Sequence, residues 1–271
     1  MFKIDNKKCI GCALCIDDCF VKDIIFVEEK AFIKNNDCIK CGHCIAICPT
    51  NAIYTDEYDM NEVIDYDKVS FNIKPENLLN FIKFRRTIRK FKDKKVENEK
   101  LIKIIEAGRY TPTASNSQDV SYIIIQEKIN ELKKLVLESL NDLAKEILKN
   151  PKNELDIKYA KTWKLMYRIF KRNPNKQDNL FFFSKNIIII TSPNELNAGL
   201  ASTNMELMCN SLGLGSLYSG FFILACKNND QIRKFLNLNK NEKIINCMVI
   251  GYPDVKYLRT VPRKKSNITW L

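Results

Sequence analysis

Apolar and polar positions along the chain divide it into three stretches. In the longest, helical and strand periods alternate. Between Lys100 and Tyr110, Leu101, Ile104, Ile105 and Gly108 recur on one helical face. Val120 to Gln126 is a β-branched run and reads as a strand, as do Lys185 to Thr191 and residues 243–251, the last ended by Gly251 and Pro253. Residues 128–183 read as mostly helical, with breaks near Pro151 and Pro174, and Ala198 to Leu212 as a helix stopped by Gly213 and Gly215. This mixture predicts an α+β domain, a central sheet flanked by helices, over residues 78–271. Before it, residues 56–77 carry Asp56, Glu57, Asp59, Glu62, Asp65 and Asp67 with little apolar periodicity, the pattern of an acidic, solvated linker. Residues 1–55 are set apart by cysteine.

Eleven cysteines are present, and eight lie within the first 48 residues. Cys9-x2-Cys12-x2-Cys15-x3-Cys19 recurs as Cys38-x2-Cys41-x2-Cys44-x3-Cys48-Pro49, so the stretch reads as two related halves. Three cysteines two residues apart let a tight loop wrap one iron–sulfur cube, while the fourth points away and caps the other cube. This places Cys9, Cys12, Cys15 and Cys48 on one [4Fe–4S] cluster and Cys38, Cys41, Cys44 and Cys19 on a second. A zinc ribbon needs two CxxC pairs and would leave four of the cysteines idle. A disulfide scaffold needs an oxidising compartment, and Met1 to Asn6 leads into Lys7, Lys8 and Cys9 without the features of a signal segment. The expected location is therefore cytoplasmic. With all eight ligand positions filled, His43 is expected to pack or face solvent, and Cys209, Cys226 and Cys247, isolated in apolar segments, read as small core residues.

Charge changes the picture little. The formal net charge is +12, which invites a nucleic-acid reading. Two four-thiolate clusters at about −2 each lower it to about +8, and the basic residues are spread along the chain rather than gathered in one arm. No nucleic-acid partner is expected. Nor is a membrane: the apolar stretch from Asn186 to Thr191 holds four isoleucines, far short of the roughly 20 residues that span a bilayer.

In the long stretch, Arg85, Arg86, Thr87 and Arg89 place three guanidinium groups and a hydroxyl within five positions, a phosphate clamp in composition. By itself such a run is also what a solvated helix face looks like. Pro112 to Gln118 follows a helix end, and its Asn116 and Gln118 carry paired donors and acceptors suited to the edge of a flavin ring. A helix then runs into Gly213-Leu214-Gly215, followed by Ser219 and Gly220; the chain closes with Gly251-Tyr252-Pro253 and Arg259, Arg263 and Lys264. Gly213-x-Gly215 is not G-x-G-x-x-G and follows a helix, which excludes a Rossmann reading.

In this order the set resembles the nitroreductase family of FMN-dependent enzymes across residues 78–271, and residues 1–55 resemble bacterial-type ferredoxins. The whole resembles a ferredoxin–nitroreductase fusion. The resemblance implies that Arg85, Thr87 and Arg89 bind the flavin phosphate and ribityl chain, with threonine where serine is usual. It implies that Thr113, Ala114 and Asn116 reach the flavin of a partner subunit in a homodimer, beside Gln118, with Asp119 where proline is frequent. Ser219 and Gly220 would lie along the isoalloxazine, and Arg263 would meet the phosphate. Such an enzyme relays electrons through the clusters to FMN, which reduces a small electron-poor acceptor such as a nitroaromatic, a quinone or an activated alkene; NAD(P)H or reduced ferredoxin would be the donor. No acid–base pair or nucleophile is called for. Trp163, Tyr167, Phe170 and Phe181 to Phe183 are expected either to cover the pocket or to be ordinary core and dimer packing. The alternative is a non-catalytic module that passes electrons to a partner protein or senses oxygen.

Overall fold

The computed structural model describes residues 1–227, 229–239 and 242–271. The chain forms two compact units, Met1–Lys74 together with Thr113–Ser117, and Pro75–Pro112 together with Gln118–Leu271.

The first unit runs β1 (Phe2–Ile4), α1 (Leu14–Asp18), β2 (Ile24–Val27), β3 (Lys30–Ile33), α2 (His43–Ile47) and β4 (Ile53–Thr55). β1 pairs antiparallel with β4, Ile4 opposite Ile53, and β2 with β3, Ile24 opposite Ile33. The repeat in the cysteine motif is also a repeat of backbone conformation, at a spacing of 29 residues. Positive φ angles fall at Gly11 and Lys40 (69° and 56°), at Ala13 and Gly42 (63° and 76°), and at Lys22 and Asn51 (53° and 50°). The Ile16 N–H donates to Ala13 O at 2.9 Å, and its counterpart Ile45 to Gly42 O at the same distance. Left-handed backbone costs a non-glycine residue about 1 kcal/mol or more, a cost tolerated here because three closely spaced thiols can face one centre only if the loop curls. Gly11 has no substitute: a Cβ there would lie 2.4 Å from the Glu29 carbonyl oxygen. The core is small, with Phe2, Ile24, Ile33 and Ile53 buried beside Cys15, and cysteines packed against them.

The second unit runs α3 (Pro75–Phe84), α4 (Asn98–Arg109), β5 (Ser121–Ile125), α5 (Ile129–Lys149), α6 (Glu154–Arg172), β6 (Asn186–Thr191), α7 (Glu195–Ser211), β7 (Gly215–Tyr218), α8 (Gly220–Cys226), α9 (Asp230–Phe235) and β8 (Ile244–Gly251). Its sheet has the order β5-β6-β8-β7, antiparallel throughout. Side chains alternate across a strand, so the four isoleucines of β6 divide between two cores. Ile187 and Ile189 join the cluster built by α5, α6, α8 and α9, while Ile188 and Ile190 join that of α4 and α7. Both sheet faces are therefore covered, and β6 is buried at every position. The fold is α+β, as the alternation of periods predicts.

Asparagines start the helices by accepting backbone N–H groups: Asn153 Oδ1 from Asp156 (2.9 Å) at α6, Asn194 Oδ1 from Leu196 (2.9 Å) at α7. α7 ends in a Schellman turn. Gly213 adopts φ 71°, its N–H reaches Asn210 O (3.0 Å), and Leu214 N–H reaches Cys209 O (3.0 Å). The GLG segment is thus only half a turn, because Gly215 already opens β7, a strand too short and too glycine-rich at its start to show in the periodicity. α3 likewise begins inside the stretch read as linker. Of the aromatics, Trp163 and Phe181 belong to the α5–α6 core and Tyr167 and Phe170 pack against it, so core packing is their role; Phe183 is half exposed. Cys209, Cys226 and Cys247 are buried core residues. No helix among the described residues is long and apolar enough to cross a membrane.

A charged pair is fully buried inside this unit. Lys133 Nζ meets Asp178 Oδ2 at 3.0 Å with side chains 5% and 2% exposed, and Asp178 also accepts the N–H groups of Leu180 (3.0 Å), Phe181 (2.9 Å) and Phe183 (3.2 Å). Asp178→Ala strands the buried ammonium and unties that loop, and is expected to cost about 3–5 kcal/mol. A fall in the urea midpoint of the second unit's transition measures it, and an unchanged midpoint would show the pair to be dispensable.

Candidate functional site

Two cavities in the first unit are lined by the eight clustered cysteines, four to each. One has Cys9, Cys12, Cys15 and Cys48 in its wall. The other has Cys19, Cys38, Cys41 and Cys44. These are the crossed sets read from the spacing. α1 and α2 lift the fourth cysteine of each motif out of its own loop: Cys19 and Cys48 are the residues at which these short helices end, with extended backbone (φ −70° and −75°). Among the described residues, no three His, Cys, Asp or Glu side chains converge on a point where a single ion would sit. Thiols spread around a cavity instead suit a four-iron cube. His43 is exposed at the rim of the second cavity.

The thiols differ in acidity. Burial, then Cys41 and Cys38 nearby, pushes Cys44 up to about 12, and burial also raises Cys15. At Cys48, burial opposes the thiolate, but hydrogen bonds from the backbone of Ala52, Thr50 and Ile53 and from the Thr50 hydroxyl outweigh it and lower the value. Ala52 N–H lies 3.2 Å from Cys48 Sγ. Burial thus disfavours the thiolate at Cys44 and Cys15, while the hydrogen bonds around Cys48 favour it.

In the second unit, residues 85–91 lie along the β7 edge of the sheet. Thr87 bridges to Ser216 and Phe91 to Pro253; Ile88 N–H donates to Ser216 O at 2.9 Å. Gly215 permits this approach, since a Cβ there would lie 2.3 Å from the Ile88 side chain. The edge thus gathers Arg85, Arg86, Thr87 and Arg89 near the strand that leads into Ser219 and Gly220. Arg85 Nη1 is paired with Glu206 Oε1 at 2.8 Å, and burial pushes the Glu206 carboxyl up against the pull of Arg85. Arg86 donates through Nη1 to the carbonyls of Lys83 (2.9 Å) and Arg85 (2.5 Å), while its Nε and Nη2 are buried without a partner. Buried guanidinium N–H groups left unmatched cost about 1–3 kcal/mol or more. An anionic oxygen at this edge would satisfy them, so the donor set fits a phosphate.

The remaining candidates lie elsewhere. Thr113, Ala114 and Asn116 group with the first unit, where Asn116 Nδ2 donates to the carbonyls of Ile39 (3.0 Å) and Lys40 (2.9 Å). Gln118 belongs to the second unit, with φ 47°. Ser219 is buried, its N–H bound to Cys247 O (2.9 Å) and its hydroxyl to Leu180 O (3.3 Å). Arg263 is exposed on a C-terminal segment without regular structure.

Comparison with known proteins agrees with this geometry. Residues 82–252 match the nitroreductase family, and residues 1–49 match the 4Fe–4S dicluster domain. The chain belongs to the nitroreductase family. It carries that fold behind a ferredoxin-type dicluster domain. A Bacillus subtilis (strain 168) protein named as an NAD(P)H nitroreductase, YfhC, is 23% identical over 185 residues, 65% of this chain and 84% of that one. Among solved structures, an FMN-bound nitroreductase from Bacteroides fragilis is 20% identical with a TM-score of 0.52, over 72% of this chain and 98% of that one. A BluB-like flavoprotein from Clostridium difficile 630 is 15% identical with a TM-score of 0.54, over 69% and 94%. These likenesses show a shared fold.

Two residues of this chain escape motif reading. Glu206 lies on the buried stripe of α7 with Ala198, Ala201, Ser202, Met205 and Cys209; a lone acid on an apolar helix face was the available signal. Asp23, 1% exposed in the wall of the second cavity, stands where the other half of the repeat has Ala52. The crossed ligation is open to test. Cys19→Ala and Cys41→Ala should leave the same residual electron paramagnetic resonance (EPR) signal, and Cys48→Ala and Cys12→Ala the other. Each variant should lose about half of its iron. If Cys19→Ala matched Cys12→Ala instead, the crossing would be wrong.

Proposed function

We propose that the second unit binds FMN and that the two [4Fe–4S] clusters deliver electrons singly to it, for reduction of a small electron-poor acceptor: a nitroaromatic, a quinone or an activated alkene. The observation that carries this reading is that one chain joins a unit with two four-cysteine cavities to a unit of the nitroreductase family. As a member of that family the chain is an oxidoreductase of the flavin-dependent kind. When bound, FMN supplies a two-electron couple that one-electron centres lack.

The protein's part is holding and shielding. Arg85, Arg86, Thr87 and Arg89 hold the phosphate and ribityl end, Arg86 through its unmatched Nε and Nη2, with Arg263 adding charge. Glu206 keeps Arg85 extended along the edge of the sheet. Ser219, anchored by Cys247 and Leu180, and Gly220 lie along the flavin ring. Thr113, Ala114, Asn116 and Gln118 complete the site of a partner subunit in a homodimer, for which Asn116 gives up its two carbonyl partners. The donor is NAD(P)H or reduced ferredoxin, and the compartment is the cytoplasm, where the thiols stay reduced. Support for the cofactor comes from the FMN in the B. fragilis structure, and for a nicotinamide donor from the name of the B. subtilis relative.

Anaerobic stopped-flow reduction tests the direction of flow. With reduced ferredoxin as donor, cluster absorbance should bleach before flavin absorbance, and a nitroaromatic should be consumed many times per flavin. Flavin bleaching first, directly by NAD(P)H, would reverse the direction, and absence of turnover would leave only an electron-transfer module. Arg86→Ala should weaken FMN retention by about 1.5–3 kcal/mol, roughly 10- to 100-fold, the worth of hydrogen bonds to a charged group. Arg86→Lys should recover little of it, because an ammonium lacks the forked geometry. Equilibrium dialysis against free FMN reads both.

A further inference from the structure

Apart from Phe20, each residue that lines the second cavity has its counterpart, at the 29-residue spacing, in the wall of the first. Ile10 answers to Ile39, Leu14 to His43, Thr50 to Val21, Ala52 to Asp23 and Ile53 to Ile24. The first wall contains no ionisable side chain besides its cysteines. The second contains two, His43, which is exposed, and Asp23, which is 1% exposed. Asp23 Oδ1 accepts the N–H groups of Asn36 (3.1 Å) and Asp37 (3.2 Å), just before Cys38, and its Oδ2 is buried with no partner. A buried carboxylate oxygen without a donor, in a wall of cysteines, is a cost that folding alone does not explain.

The other differences point the same way. Cys48 Sγ, on the first cluster, receives the Ala52 N–H at 3.2 Å and lies 3.7 Å from the Thr50 hydroxyl; the second cluster has Val21 in place of that hydroxyl. The Lys30 ammonium donates to the Cys9 carbonyl beside the first cluster. Beside the second, Lys40 is matched by Glu57 at 2.7 Å and adds little net charge. Reduction adds one electron to a centre that is already negative. Hydrogen bonds to sulfur and nearby cations favour that step, and a nearby buried anion opposes it.

We propose that Asp23 makes the two clusters electrochemically unequal, holding the Cys19–Cys38–Cys41–Cys44 cluster at the lower reduction potential. A single electron shared between the two then rests on the Cys9–Cys12–Cys15–Cys48 cluster. The exchange moves one electron, lost by one cluster and gained by the other, with no bond made or broken. The inference rests on the assignment of the eight cysteines to two clusters.

An anaerobic redox titration of the full chain, followed by EPR, tests it. Iron content is measured first: about eight irons per chain are required, and about four or none would sink the two-cluster assignment itself. The wild-type clusters should reduce in two one-electron steps separated by at least a tenfold ratio, 59 mV. Asp23→Asn keeps the acceptor for Asn36 and Asp37 and removes the charge; it should raise the lower step by at least the same tenfold ratio and leave the upper step in place. Asp23→Ala, which installs the residue the other half already carries, should do the same. Coincident wild-type steps, an unmoved lower step in variants that hold both clusters, or movement of the upper step alone would each overturn the proposal. Loss of the second cluster from both variants would also overturn it, making Asp23 a folding element rather than a tuning charge.

Discussion

The first unit depends on thiols meeting iron. Its hydrophobic core is small, Phe2, Ile24, Ala31, Ile33 and Ile53 around Cys15, and five further cysteines make up much of what packs against them. A core of this size buries too little apolar surface to offset the chain entropy of some 70 residues. The loops that present the thiols also hold Ala13, Lys22, Lys40 and Asn51 in left-handed backbone. Iron–thiolate bonds are the contribution large enough to offset both, and metal binding and folding are one event in such domains. Each of the two cavities draws its cysteines from both halves of the repeat, three from one motif and one from the other.

The second unit rests on a different principle. Four consecutive isoleucines in β6 can all be buried only if both faces of the sheet are covered, so the strand requires helices on each side. Each such side chain removed from water contributes about 1.5–3 kcal/mol. β7 is the last strand of the sheet, and residues 85–91 are laid along its outer edge because Gly215 and Gly251 have no Cβ to hold Ile88 and Phe91 away. The basic cluster is thereby mounted on a sheet edge rather than on a solvated helix face. Glu206 completes the mounting from α7: it is desolvated by the packing of that helix, yet tolerable there because Arg85 lies 2.8 Å away.

Much of this was legible along the chain. Cysteine spacing specified two ligand sets, and the two cavities contain those sets. Helical stripes and β-branched runs located α4, α5, α6, α7, β5, β6 and β8 to within a few residues, since period survives when packing is unknown. β7 was not legible, being four residues of which the first is glycine. The aromatic residues of α6 could be read as pocket cover or as core, and Trp163 is core. Nothing in the segment Thr113 to Ser117 announced that it would group with the first unit, because the carbonyls its Asn116 meets come from residues 39 and 40.

The sequence by itself determined the metal chemistry, the repeat and the family, because these depend on residue type and spacing, which a linear chain records. Tertiary structure alone decided which groups are desolvated next to which. Asp23 and Ala52 are equivalent letters of a repeat until folding buries one carboxylate in the wall of a thiol-lined cavity. Arg86 is one of three nearby arginines until the turn after α3 leaves two of its guanidinium nitrogens buried and unmatched. Desolvation is a property of the surroundings in space, and no local pattern of residues encodes it.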